Sequence, residues 1–255
     1  MRPILLIAAL AFRLSAGDCK PKMPCYSAEG IVDGASFARA VAPGSIVSIF
    51  GTDLAWAAQG RDANQASIGL GGVHVLVGGL AAFVFYVSPG QVNALIPNSL
   101  RPGGFEVRIV RDGAGGPAAI VNIEEYAPAL FEYERDTAIA LRYPTWQPAT
   151  REYPARPGEI VSLFATGLGP LTYPFGEYDI PNSATPIEAR KQFRVLLNGI
   201  ALDDNLIEYA GCAPGYIGLY QINVRLPERV DPDPELRIGI GKTLSRADLR
   251  LRTAP

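Results

Sequence analysis

The sequence is poor in the residues that carry most enzyme chemistry. It holds one histidine and three cysteines in 255 residues. Any Ser-His-Asp or Cys-His arrangement would have to use His74, which sits mid-strand in the alternating run Val73-His74-Val75-Leu76-Val77 and reads as an exposed strand residue. Three thiols beside one imidazole build no zinc site. A basic excess is missing too. With 23 Lys and Arg against 25 Asp and Glu the net charge is −2, so there is no electrostatic footprint for nucleic acid or an anionic membrane. No run beyond the first residues approaches the ~18 apolar residues of a membrane helix. No segment of a dozen residues or so keeps a helical period. Glycine (27) and proline (22) are frequent but scattered, which suits many turns between short strands and excludes a low-complexity tract.

What the chain does contain is a repeat. Pro43-Gly44-Ser45-Ile46-Val47-Ser48-Ile49-Phe50 returns 114 residues later as Pro157-Gly158-Glu159-Ile160-Val161-Ser162-Leu163-Phe164. Gln91-Val92-Asn93-Ala94-Leu95-Ile96-Pro97 returns as Gln221-Ile222-Asn223-Val224-Arg225-Leu226-Pro227. Each Pro-Gly pair reads as a turn that launches a buried strand, with the apolar positions marking a core element. The offset grows from 114 at the first echo to 120 at Gly78-Gly79 against Asn198-Gly199, then to 130 at Gln91 against Gln221. The second copy therefore carries insertions, Thr172–Ala189 and Ala201–Tyr216, which are candidates for a specialised surface.

Residues 1–17 read as an export signal: Arg2, an apolar stretch Pro3–Phe12 too short to span a bilayer, then Ser15-Ala16-Gly17 for cleavage. Asp18 stands between that site and Cys19, which argues against a lipid anchor. In an oxidising compartment Cys19 and Cys25 can close a small loop, or one of them can reach Cys212.

Residues 18–29 are expected to be a loose lead-in. About seven short strands per copy, with turns every 8–12 residues, are the signature of a β-sandwich. The fold class expected is all-β, as two tandem immunoglobulin-like β-sandwich domains over residues 30–125 and 126–255. A proline-rich connector, 143–157, lies within the second.

Several motifs carry a family resemblance. Ala42–Gly51, Leu70-Gly71-Gly72-Val73, Phe85–Asn93, Ala155–Gly158, Ala165–Pro170 and Ala213–Val224 resemble the uncharacterised C-terminal domain of secreted acidobacterial (Solibacter-type) proteins. The match runs from about Gly30 to the C-terminus. The half-repeats are also similar to IPT/TIG-type immunoglobulin-like modules. The resemblance implies an extracellular setting and brings no established activity. The charged stretch Glu132, Glu134, Arg135, Asp136, the insert Asp203-Asp204-Asn205 and Cys212 depart from the family's pattern.

Asp203-Asp204-Asn205 and Asp231-Pro232-Asp233-Pro234-Glu235 lack the spacing and glycine of a calcium loop and read as solvated turns. Loop aromatics are the remaining signal. Trp146, Tyr173, Phe175 and Tyr178 are candidate ligand-binding residues, since a sugar ring stacks on an exposed flat face. Trp56 also falls in an expected loop. No catalytic residue, metal ligand or cofactor is expected. The function expected is a secreted, non-catalytic interaction or adhesion module for an extracellular protein or polysaccharide, the alternative being a carbohydrate-binding module.

Overall fold

The computed structural model describes residues 19–254 apart from Ala66, Arg135 and Pro174; the expected export signal lies outside them. The chain is all-β, built from antiparallel sheets, and the described residues hold no α-helix.

The N-terminal half contains β1 (Cys25–Asp33), β2 (Ile46–Thr52), β3 (Val73–Val77), β4 (Val84–Val87), β5 (Gln91–Leu95), β6 (Gly103–Arg111) and β7 (Ala119–Ile123). Hydrogen bonds order them β1-β2-β5-β4 in one sheet and β7-β6-β3 in the other. The C-terminal half contains β8 (Ala140–Arg142), β9 (Ile160–Thr166), β10 (Phe193–Leu197), β11 (Ile207–Cys212), β12 (Tyr220–Arg225) and β13 (Leu236–Ile240). Its order is β8-β9-β12-β11 opposite β10-β13. Residues 249–253 complete the second sheet beside β13, where the Leu236 amide donates to the Leu249 carbonyl at 2.7 Å. With strands lettered in sequence, both halves show the ABED and CFG sheets of an immunoglobulin constant-type sandwich.

The launching turns repeat down to the hydrogen bond. Ser45 N donates to Ala42 O at 3.0 Å and Glu159 N to Arg156 O at 3.1 Å. Gly44 and Gly158 take φ of 76° and 74°, the type II turn that Pro-Gly favours. Even the parallel bridges that precede these turns match, Val41 with Ile123 and Ala155 with Thr253.

Each half has its own core. Val47, Ile49, Val75, Val92 and Ile109 meet in the first; Val161, Leu163, Val195, Ile222 and Ile238 meet in the second. Strand alternation turns Ser48 and Ser162 to the opposite face. There Ser48 Oγ donates to Asn93 Oδ1 at 3.2 Å, and Gln91 Nε2 to the same oxygen at 2.8 Å. The second half repeats this with Ser162 (2.9 Å) and Gln221 (2.8 Å) on Asn223 Oδ1. The repeat thus retains a polar cross-strand triad as well as apolar positions, a correction to its reading from hydrophobic pattern alone.

The lead-in also needs correcting. β1 starts at Cys25, inside the stretch expected to be loose, and Cys19 is disulfide-bonded to Cys25 with Cα atoms 5.3 Å apart. Tyr26 is buried; its hydroxyl accepts from Ile109 N at 2.7 Å and donates to Pro117 O at 2.7 Å. Burial pushes its phenol pKa up to about 12. Pairing with β2 slips between Tyr26 and Ile31, and that bulge erases the alternation a strand would show in sequence.

A third apolar cluster joins the halves. Phe83, Phe85 and Leu95 on the outer face of the first ABED sheet, with Ile46, pack against Ile217 from the loop between β11 and β12. The Ile46 amide donates to Thr166 Oγ1 at 2.9 Å. The Asn98 and Ser99 amides grip the two Glu177 carboxylate oxygens at 2.8 and 2.9 Å.

Candidate functional site

The loop aromatics divide between two ends of the C-terminal sandwich. Tyr173, Phe175 and Tyr178 ride on the long loop after β9. Tyr173 is 73% exposed. Tyr178 meets Phe83 of the first half edge-on, ring centroids 5.7 Å apart. Phe175 lines a cleft between the halves with Pro43, Asn98, Ile217 and Tyr220. The Thr172–Ala189 loop therefore straps one sandwich to the other through Glu177 and Tyr178. The Ala201–Tyr216 insertion contains β11 and leads directly into Ile217. The Thr172–Ala189 insertion and the residues that directly follow the Ala201–Tyr216 insertion thus build the contact between the halves.

Trp146 stands elsewhere. Its amide donates to Arg142 O at 2.7 Å, and Arg142 pairs with Val161 at the start of β9. The cleft residue Tyr220 pairs with Ala165, about 14 Å further along that strand. Trp146 and Tyr143 form a perpendicular pair with centroids 5.9 Å apart. Tyr143, Trp146 and Tyr153 are all about half exposed. Beneath them Arg142 grips Glu159 with two hydrogen bonds of 2.9 Å; that bond holds the Glu159 carboxyl below its ordinary range and raises the guanidinium. The structure thus brings Phe175 and Tyr178 to the junction and leaves Trp146 on a separate hairpin with Tyr143, while Tyr153 follows on the next turn.

The other side chains weighed for chemistry have structural partners. His74 is exposed, with Nδ1 2.9 Å from the Ile68 carbonyl. Asp231 accepts from Asn198 Nδ2 at 2.8 Å, and Asp233 from the buried Arg252 at 3.0 Å. Asp204 is paired with Arg190. Cys212 is a buried free thiol that donates to Ser183 O at 3.3 Å.

Trp56, expected in a loop, acquires partners only in the fold. It follows β2 and is 65% exposed. The Arg111 guanidinium carbon lies 3.8 Å from its ring centroid, and its Nε1 donates to Asp112 Oδ2 at 2.7 Å. Arg111 is 2% exposed and donates to the Asp53 carbonyl and, at 2.6 Å, to the Lys22 carbonyl. In sequence Arg111 is only the first residue of an expected hairpin loop, Arg111–Gly116.

Fold and surface together define an all-β chain of two immunoglobulin-type sandwiches with aromatic-bearing loops. No family model and no curated protein match it. Among solved structures it is similar to the surface glycan-binding protein PbSGBP-B from Prevotella bryantii, at 10% identity and a TM-score of 0.29 over 86% of this chain and 40% of that one. It is similar to the full extracellular region of plexin A4, at 14% identity and a TM-score of 0.30 over 99% of this chain and 17% of that one. It is also similar to murine CEACAM1b, at 13% identity and a TM-score of 0.20 over 88% of this chain and all of that one. The chain spans less than half the length of the first two. The sandwich class rests on the strand order within each half. Among the described residues no helix is long and apolar enough to cross a membrane.

Proposed function

We propose that the chain is an exported, non-catalytic binding module that holds an extracellular protein or polysaccharide. The observation that carries this reading is the Tyr143–Trp146 pair on one hairpin, two large aromatics left about half exposed with their rings perpendicular. Exposed aromatic groups of this kind mark contact surfaces. The export signal read in residues 1–17 and the motif resemblance to secreted acidobacterial domains support the setting.

A carbohydrate ligand is favoured by one feature. The perpendicular Tyr143–Trp146 pair forms a corner in which a sugar can lie on one ring and meet the edge of the other. The test is retention of the protein on immobilised neutral polysaccharides and on immobilised cell-envelope protein. Trp146→Ala should weaken retention roughly tenfold with an unchanged melting temperature. Retention unaffected by Trp146→Ala and by Tyr143→Ala removes the hairpin from the binding surface.

A further inference from the structure

We infer that Trp56 is a preorganised stacking platform for a neutral pyranose, at the loop end of the first sandwich. The inference rests on the carbohydrate reading above and gives it a second, separate site.

Three observations carry it. The first is how the ring is held. A buried guanidinium fills one face at 3.8 Å, and Asp112 takes the indole N–H at 2.7 Å. The side chain is fixed and its polar atom satisfied, yet 65% of the residue stays exposed. A ring locked in this way loses little conformational freedom when a ligand lands on it, and its outer face offers π-density to the apolar C–H face of a sugar.

The second is the rim. Asp53, Gln59 and Asp112 are all exposed. Asp53 supplies the carbonyl that holds the same guanidinium, and the Gln59 amide lies against Gly71 next to the Asp112 hairpin. One flat ring among hydroxyl-bonding groups suits a sugar; a protein-docking patch has an apolar centre. Carboxylates at Asp53 and Asp112 disfavour an acidic polysaccharide.

The third is position. Trp56 and Asp112 stand on the B–C and F–G loops, the end at which immunoglobulin variable domains bind. In the second sandwich the same end is already a contact surface. At the 114-residue offset Trp56 corresponds to Pro170, which lines the cleft against the first half. One copy of this end grips a neighbour, and the other presents a fixed indole to solvent.

The experiment is calorimetric titration of the full chain with cellohexaose, xylohexaose and mannohexaose, with polygalacturonate as the acidic control. At least one neutral oligosaccharide should bind. Trp56→Ala should weaken it roughly tenfold or more, with thermal unfolding checking the fold. Trp56→Phe, which keeps a ring over Arg111, should lose less and serves if the alanine variant unfolds. Binding that survives both substitutions but falls with Trp146→Ala overturns this inference and leaves the carbohydrate reading standing. Binding of none of the three neutral probes overturns both. Preferred binding of polygalacturonate overturns the ligand class.

Discussion

The outer faces of the two ABED sheets are built alike and used differently. Each bears a Ser-Asn-Gln triad at the same register. In the first half the triad is closed off, with Ser48, Gln91 and Asn93 at 3, 8 and 9% exposure. It lies on the sheet whose Leu95 packs with Phe83 and Phe85 against Ile217 of the second half, and Tyr178 meets Phe83 beside it. In the second half Ser162 is buried while Gln221 and Asn223 keep part of their surface in water. The two halves share a strand order and differ in their loops. The longer loops of the second half carry Glu177, Tyr178 and Ile217 to the first half as a clasp, so the halves differ chiefly in what they contribute to their own junction.

The strongest way to break that relation is a wedge. Gly218 has φ of 72°, and a Cβ placed there would lie 2.2 Å from Leu95 Cδ1. Gly218→Val combines left-handed strain with overpacking, each about 1–3 kcal/mol, and should cost roughly 4 kcal/mol. Gly215, in the same loop, has φ of 85° with nothing within 4 Å of its Cβ. Gly215→Val should pay only the backbone strain, about 1–2 kcal/mol. Urea unfolding followed by fluorescence separates the two. Equal losses would mean that the close approach at Leu95 does not hold the halves together.

A pH dependence should set the first half apart. Asp33, at the end of β1, is fully buried. Its Oδ1 accepts from the amides of Ala35 and Ser36 at 3.0 and 2.8 Å and from Ser36 Oγ at 2.9 Å, while Oδ2 has no partner. Burial outweighs those bonds and lifts the carboxyl from 3.8 to about 6. The fold therefore favours the protonated acid. Its contribution is fully present below pH ~3.8 and is lost as pH rises through about 6, a loss of about 3 kcal/mol at neutral pH. Asp33→Asn keeps the acceptor and removes the charge. Chemical denaturation at pH 4 and pH 7.5 should show the wild type losing that much more than the variant on going to the higher pH. Parallel pH profiles would show that Asp33 titrates normally.

Local chemistry was legible in the sequence and long-range chemistry was not. The Pro-Gly turns fix their own hydrogen bonds, and Asn198-Gly199, with φ of 49° and 77°, turns its hairpin as the dipeptide indicates. The all-β class follows from those turns and the strand alternation. The strand expected from Gly30 is the end of β1, but its start at Cys25 escaped because the bulge removes the alternation over Ser27–Gly30. The clasp escaped because its partners, such as Asn98 with Glu177 or Leu95 with Gly218, are far apart in the chain and their residue types fit solvated turns equally well. Trp56 escaped for the same reason, since only the fold brings Arg111 beneath it.

The finest test of the comparison removes the same atom from each triad. Asn93 Oδ1 accepts from Ser48 and Gln91 where water has little access. Asn93→Ala strands two buried donors and should cost roughly 2–3 kcal/mol. Asn223 Oδ1 accepts from Ser162 and Gln221, but the surface there is half open and water can replace the lost acceptor for Gln221. Asn223→Ala should cost about 1 kcal/mol. Two matched substitutions read by equilibrium denaturation thus report how much the clasp desolvates the first sheet. A difference of about 1–2 kcal/mol is expected. Equal costs would mean that water reaches both triads alike, and that the second half rests on the first without drying it.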